Sequence, residues 1–215
     1  MKNIFGIFLL FFLSVGHKPL LAQSADSVQL KKVYTSIAEA YKEPLKVYRL
    51  NLSNLPIDSF PINLSKFKNL QCLYLNYDHL EFIPREIADL QNLRVLQLSG
   101  DDFKTLPTEF SQLKNLEEIY LNVNKKMDLT QSVNVLSTLP KLHILHLEND
   151  GITVLPPNFT MLTHLERLYL NDNKLTEVPL QIKGLKTLKY VEMQNNSFSP
   201  TYMSNYKTFG FKIKF

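Results

Sequence analysis

The fold of this chain is decided by the pattern of residues 165–187, LERLYLNDNKLTEVPLQIKGLKT. Leucine occupies its first, fourth and sixth positions, so that the side chains between them point to the opposite face of a strand. An apolar–proline pair follows at Val178-Pro179, and two more apolar residues follow at three-residue steps, Ile182 and Leu185. Proline cannot donate to a strand ladder, so the second half of the stretch lies outside the strand and turns the chain back.

The same skeleton recurs through most of the chain. Its units begin at Val47, Leu70, Leu93, Leu116, Leu142, Leu165 and Leu188. The spacings between these starts are 23, 23, 23, 26, 23 and 23 residues. One such unit cannot bury its own leucines, whereas stacked units share one continuous core. The repeat therefore predicts a solenoid. The three extra residues of the fourth unit predict a longer helix over residues 128–139.

These residues resemble the leucine-rich repeat family in its 23-residue form, over roughly residues 47–200. The resemblance implies an α/β fold, a curved solenoid with a parallel sheet on the concave face and short helices or irregular turns on the convex face. The family's asparagine at the ninth position occurs here as Asn124, Asn173 and Asn196. Elsewhere the position holds Leu55, Asp78, Asp101 and Asp150. Ionised aspartate cannot donate a hydrogen bond, so we expect an interrupted asparagine ladder across the first three units.

Residues 1–23 have the pattern of a cleaved signal peptide. Lys2 provides the positive start, residues 4–15 are apolar, and the expected cut falls after Ala22, Gln23 or Ala25, so that the mature chain begins between Gln23 and Asp26. An apolar run of this length is too short for a membrane span, which needs about 20 residues. The leader predicts export, to a secreted, periplasmic or cell-surface location.

Both ends of a solenoid need caps. Residues 24–46 are predicted to form an N-terminal helical cap that ends at Pro44. Its apolar residues at helical spacing are Leu30, Val33, Ile37, Ala38 and Tyr41. The helix runs into residues 47–52, VYRLNL, which fit the pattern V-Y-x-L-x-L. This lead-in resembles that of secreted bacterial members of the family, particularly from Bacteroidetes. Residues 201–215 are predicted to form a C-terminal cap: a short helix from Tyr202, then an edge strand over residues 211–215, which alternate apolar and charged.

The concave face is the expected binding surface. Four of the ten tyrosines lie on it, and tyrosine is enriched at recognition surfaces. Strand propensity alone also favours tyrosine, and this alternative stays open. The loops that follow the strands, residues 76–79, 99–102 and 122–126, are expected to extend the contact. The candidate binding residues are Tyr74, Gln97, Tyr120, His146, Arg167, Tyr169, Tyr190 and Glu192.

Other chemistries have little support in the sequence. His146 and Glu148 share a strand face, but His143 has the opposite parity, and the neighbouring tyrosines and asparagines are poor metal ligands. No Ser-His-Asp set, glycine-rich phosphate loop or paired-carboxylate motif occurs, so we expect neither catalysis nor a cofactor. Cys72, the single cysteine, has the outward parity and is expected to be a partly accessible thiol.

The charge balance excludes one class of partner. The net charge of +4 falls to +2 without Lys2 and Lys18, since 24 − 2 = 22 basic residues then face 20 acidic ones. Such a small excess argues against nucleic-acid binding. We therefore expect an exported, non-enzymatic scaffold that binds a protein through its concave face. The alternative is a binder of glycans or cell-wall fragments, with Tyr74, Tyr120 and Tyr169 as stacking platforms.

Overall fold

The computed structural model describes residues 31–54, 63–204 and 210–215. The predicted leader and the first part of the predicted N-terminal cap, together with Leu30 and Leu55, lie outside the described residues. The main element is a sheet of eight parallel strands in sequence order. The strands are β1 Arg49–Asn51, β2 Cys72–Tyr74, β3 Val95–Gln97, β4 Glu118–Tyr120, β5 Ile144–His146, β6 Arg167–Tyr169, β7 Tyr190–Glu192 and β8 Lys212–Lys214.

The register follows the repeat. Leu50 pairs with Leu73, Leu73 with Leu96, and so on through the central residue of every strand. These central residues point into the core and are fully buried in β1 to β7. The first and third residue of each strand point to the opposite, concave face. The predicted curved solenoid and the predicted C-terminal edge strand are both confirmed.

The convex side consists of short helices, most of one 3-10 turn. The segment that follows each apolar–proline pair places one large side chain in the core, such as Phe110 or Phe159, each fully buried. The fourth unit instead has an eight-residue α-helix, capped by the Asp128 side chain. This confirms the longer helix. The 3-10 helices are Pro44–Lys46, Leu64–Lys66, Arg85–Asp89, Thr108–Gln112, Pro157–Met161 and Leu180–Gly184; the α-helices are α1 Ile37–Ala40, α2 Leu129–Leu136 and α3 Pro200–Ser204.

The N-terminal cap differs from the predicted amphipathic helix. The α-helix in the described part is only four residues long, and Val33 is exposed. Tyr34 is buried instead and forms a parallel bridge with Leu50. The Tyr34 N–H donates a hydrogen bond to the Arg49 carbonyl, and the Tyr34 carbonyl accepts one from the Asn51 N–H, so these two backbone groups of β1 are satisfied. The helical prediction is wrong for residues 31–36, because the open edge of a sheet must be satisfied and an extended segment can do so.

The C-terminal cap closes the core with aromatic rings. Phe198 stacks on Tyr202 at 5.8 Å between ring centroids and meets Phe215 edge-on at 5.2 Å. The Tyr202 hydroxyl accepts a hydrogen bond from the backbone N–H of Val178. A helix begins near the predicted position, at Pro200. These rings and β8 therefore cover the last leucines of the repeat on the side of β7 that faces away from β6.

Among the described residues, the ninth positions of successive units form a ladder of side-chain hydrogen bonds, with asparagine in some units and aspartate in others. Asn124 accepts from the backbone N–H of Asp101 and donates its amide to the Leu98 carbonyl. Asp101 accepts from two backbone N–H groups, but its second carboxylate oxygen is buried without a hydrogen-bond partner among the described residues. The second oxygen of Asp150 is in the same situation. From Asp101 to Asn196, each ninth-position side chain accepts a hydrogen bond from the backbone. The expected interruption of the asparagine ladder is confirmed at Asp101 in the third unit, and Asp150 interrupts it again in the fifth unit.

Candidate functional site

The structure places the predicted binding residues on the concave face, in two rows that cross the sheet. Each row is a set of register partners, so neighbours in a row lie about 4.8 Å apart. We call these the first row and the second row. The first row is Arg49, Cys72, Val95, Glu118, Ile144, Arg167, Tyr190 and Lys212. The second row is Asn51, Tyr74, Gln97, Tyr120, His146, Tyr169, Glu192 and Lys214.

Three rings of the second row form an aromatic stack at the centre of the face. The ring of His146 lies between those of Tyr120 and Tyr169, with centroid distances of 3.8 and 4.3 Å and interplanar angles of 11° and 1°. Tyr190 meets Tyr169 edge-on at 6.0 Å. Because the stack runs across the strands, its ring faces turn toward one another. The rings therefore present mainly their edges and hydroxyls to a ligand.

Two carboxylates hold the imidazole in the stack. His146 Nε2 lies 3.0 Å from Glu118, and His146 Nδ1 lies 3.5 Å from Glu148. Burial lowers the pKa of His146, but the hydrogen bonds and charges of the two glutamates outweigh it, so the net pKa is raised. The same contacts lower the pKa of both glutamates in spite of their own burial. The site therefore favours an imidazolium between two carboxylates.

Most hydroxyls and carboxylates of the concave face are already engaged. Tyr74 accepts from the Arg49 guanidinium, Tyr120 donates to Glu118 at 2.8 Å, and Tyr190 donates to Glu192 at 3.2 Å. Of the predicted tyrosine anchors, Tyr169 is the one whose hydroxyl has no hydrogen bond within the described part of the chain. It is half-buried and lies beside Arg167 and Tyr190. The open end of the candidate site is therefore at β6 and β7.

Two other predicted binding residues, Glu192 and Gln97, are held by neighbouring side chains. Glu192 is only 6% exposed, and its carboxylate forms an ion pair of 2.6 Å with Lys214. Gln97 accepts a hydrogen bond from the Asn76 amide at 3.0 Å. Both side chains lie on the predicted face, but they are less free to contact a partner than the sequence indicates.

Cys72 has the predicted outward parity, but the prediction of a partly accessible thiol is wrong. The residue is 1% exposed. The hydrogen bond between Arg49, its register partner, and Tyr74, on its own strand, closes the space above the sulfur. Burial raises the pKa of the Cys72 thiol. A short side chain on the outer face of a strand is thus buried by its longer neighbours.

A second ladder on this face escaped the sequence analysis. Asn76, Asn122 and Asn171 lie just after their strands, and each accepts from a backbone N–H of the following unit. The Asn122 and Asn171 amides also donate to the Glu148 carboxylate, at 3.1 and 2.8 Å. The sequence contains the pattern that would have predicted this ladder, because asparagine recurs at the seventh position of the second, fourth and sixth units. These side chains stiffen the edge of the site and hold Glu148 toward His146.

A groove lies among the loops that follow the strands. It has a volume of about 460 Å³, and its lining includes Phe82, Asp102 and Lys126. Phe82 is 83% exposed, and Asp102 pairs with Lys126 at 2.9 Å. Asp102 and Lys126 belong to two of the loops predicted to extend the contact. Phe82 was not predicted, because the repeat has no fixed residue type at its unit position, which holds Thr105, Val154 and Glu177 in other units.

Neither the pattern of a metal site nor that of a membrane span occurs among the described residues. Among residues 31–54, 63–204 and 210–215, no three His, Cys, Asp or Glu side chains are arranged to hold a metal ion. No helix within these ranges is long and apolar enough to cross a bilayer.

The family and the fold are shared with known proteins. The family model described as "Leucine rich repeat" matches residues 68–125 and 140–198. The chain is similar to a leucine-rich repeat protein of Leptospira interrogans, with 28% identity, 77% of this chain and 53% of that chain covered, and a TM-score of 0.49. A search of the curated proteins finds no match.

Two further solved structures share the fold. One is the Drosophila Toll–Spatzle complex, with 20% identity, coverage of 76% of this chain and 22% of that chain, and a TM-score of 0.60. The other is the leucine-rich repeat domain of the type III effector XopL, with 22% identity, coverage of 74% and 55%, and a TM-score of 0.57. This chain thus spans about half or less of the length of these neighbours. With two stretches of family match over a parallel sheet of repeating leucines, the chain belongs to the leucine-rich repeat family.

Proposed function

We propose that the protein is an exported scaffold that binds a protein partner through the concave face of its sheet. The observation that carries the proposal is the aromatic stack of Tyr120, His146 and Tyr169, which is rigidly held and ends in an open tyrosine. Rigid tyrosines lose little conformational entropy on binding and serve as anchors at interfaces. Export rests on the predicted leader, and the absence of catalysis rests on the fold, a typical non-enzymatic scaffold.

The family and the fold support a protein partner. Leucine-rich repeat proteins commonly mediate protein–protein interaction, and one structural neighbour is a complex of Toll with Spatzle. The stack also weakens the glycan alternative. A sugar would need an open ring face to stack on, whereas the faces of Tyr120 and Tyr169 that flank His146 are covered by its ring.

Site-specific cross-linking tests the proposal. A photoreactive amino acid is placed at Tyr169 on the concave face or, as a control, at Met161, which is 48% exposed on the convex side. Each full-length variant is expressed in the native host, and adducts are identified by mass spectrometry. We expect a protein adduct from position 169 and none from position 161. Adducts from position 161 alone would move the binding site to the convex side.

A further inference from the structure

On the described concave face, the acidic side chains have partners of opposite charge, whereas the basic side chains of the first row do not. The carboxylates of the face have donors: Glu118 and Glu148 share His146, and Glu192 pairs with Lys214. Three cations of the first row, Arg49, Arg167 and Lys212, have no carboxylate within 4 Å among the described residues. Arg49 at least bonds to the Tyr74 hydroxyl. Within the described part of the face, the charged groups that lack a partner of opposite charge are therefore cations, and most of them lie on β6 to β8.

Two of these cations flank the open end of the aromatic stack. Arg167, Tyr190 and Lys212 are consecutive register partners, which puts the two cations about 9.6 Å apart at the backbone, with Tyr190 between them. Tyr169 lies next to Arg167 on the second row, and its hydroxyl has no hydrogen bond within the described residues. We call Arg167, Tyr169, Tyr190 and Lys212 the cationic patch.

A carboxylate suits this patch better than a neutral or cationic group. The planar guanidinium of arginine donates two parallel hydrogen bonds to a carboxylate, and a free phenol donates a third nearby. An acidic ligand would also leave the native ion pairs of Glu118, Glu148 and Glu192 intact. Alternate side chains of an extended peptide lie about 6.7 Å apart, a span that the flexible stems of Arg167 and Lys212 can match.

We propose that the cationic patch binds an acidic segment of the partner protein, with one carboxylate on Arg167 and a second on Lys212. This inference rests on the proposed concave-face function and names the partner's chemistry. The small net charge of the chain gives no general attraction to polyanions, so recognition here depends on these two side chains.

A direct test uses blocked, fluorescein-labelled octaglutamate, with octalysine and a single-stranded DNA octamer as comparison probes, and follows fluorescence anisotropy. We expect octaglutamate to bind at least about tenfold more tightly than either comparison probe. In Arg167→Gln with Lys212→Gln, octaglutamate binding should fall by about tenfold or more. Removal of two charges away from the face, Lys174→Gln with Lys186→Gln, should leave octaglutamate binding within about twofold of the unmodified chain.

Charge reversal keeps the test decisive. Arg167→Glu with Lys212→Glu should lose octaglutamate and gain octalysine, provided that its circular dichroism spectrum matches the parent. Equal binding of octaglutamate by the parent and the Gln double variant would overturn the inference, as would equal binding of DNA and octaglutamate. If position 169 cross-links to a partner but the patch variants bind that partner normally, only this inference fails. If position 169 yields no adduct, the proposed function itself fails.

Discussion

At the scale of single residues, the ladder of the ninth position shows what happens when an oxygen of aspartate replaces the amide nitrogen of asparagine. Asn173 uses both halves of its amide: it accepts from two backbone N–H groups and donates to the Leu147 carbonyl. Asp150, one unit earlier, accepts from the Asn124 N–H, but its other oxygen has no donor among the described residues. By the repeat, that oxygen occupies the place of the Asn173 amide nitrogen. Burial raises the pKa of Asp150 to about 7.

We predict that Asp150→Asn stabilises the protein, by about 2 kcal/mol at pH 8 and by much less at pH 5. The carboxyl group of Asp150 has a pKa of about 7 in the folded chain against an ordinary value of 3.8. Between these values the folded state binds more protons than the unfolded state, so its stability falls as the pH rises and levels off above about 7. Urea unfolding across this range measures the effect, with exposed Asp89→Asn as control. An unchanged pH profile in the Asp150 variant would contradict the prediction.

The buried thiol provides a second prediction. Cys72 should resist labelling by a thiol reagent in the native protein and react fully once the chain is unfolded. The hydrogen-bonded pair Arg49–Tyr74 covers it, and burial raises its pKa, so little thiolate is present at neutral pH. Tyr74→Ala should open this cover and speed labelling by about tenfold or more. Rapid stoichiometric labelling of the unmodified native protein would show that the cover does not exist in solution.

At the scale of elements, the fourth unit shows how a repeat absorbs an insertion. Its three extra residues lengthen a convex turn into α2 and leave the strands on either side, β4 and β5, in the same register as all the others. Val133 and Leu136 fill the core that a 3-10 helix fills elsewhere. The concave face therefore continues across the insertion without a break, and Tyr120 can stack on His146.

We predict that Asp128→Ala destabilises the protein by about 1 kcal/mol, because the Asp128 side chain accepts a hydrogen bond from the first turn of α2. This bond joins the carboxylate to the Gln131 N–H at 3.0 Å. Asp128→Asn keeps the acceptor and should cost only a few tenths of a kcal/mol. Urea denaturation followed by circular dichroism compares the three proteins. Equal losses in both variants would mean that the charge of Asp128, and not its cap, stabilises α2.

At the scale of the whole molecule, the leucines of all units form one continuous core. No unit can fold on its own leucines, so the stability of each depends on its neighbours. The concave site depends on this continuity, because its stack is built from rings of three different units.

We predict that Phe110→Ala costs about 3–5 kcal/mol and that the chain still unfolds in a single transition. Phe110 is fully buried between neighbouring units, so the cavity weakens them together. The chemically identical change Phe82→Ala, at a side chain that is 83% exposed, should stay within about 0.5 kcal/mol of the parent. Urea unfolding followed by circular dichroism and by tyrosine fluorescence should give coincident curves. Two separate transitions would show that the solenoid splits into independent parts.

The repeat was predictable because its physics is local and periodic. Leucines at fixed spacing determine which residues point inward, so strands, register, convex turns and the rows of the concave face follow from the sequence. Predictions were less successful where a residue's environment comes from other units. Val33 has helical spacing but is exposed, because the neighbouring Tyr34 bonds to the open edge of β1.

The sequence by itself therefore determined the solenoid, the seven parallel strands of its units, its C-terminal edge strand and the side chains of each face. Only the tertiary structure decided which of those side chains are free. Tyr169 and Arg167 are open. Tyr120 is stacked against His146, Glu192 is paired with Lys214, and Cys72 is buried beside its register partner Arg49; each of these neighbours lies more than 20 positions away in the chain. The physical reason is that parity along a strand depends on the chain's own geometry. Accessibility and protonation depend instead on which side chains the stacked neighbours bring within a few ångströms.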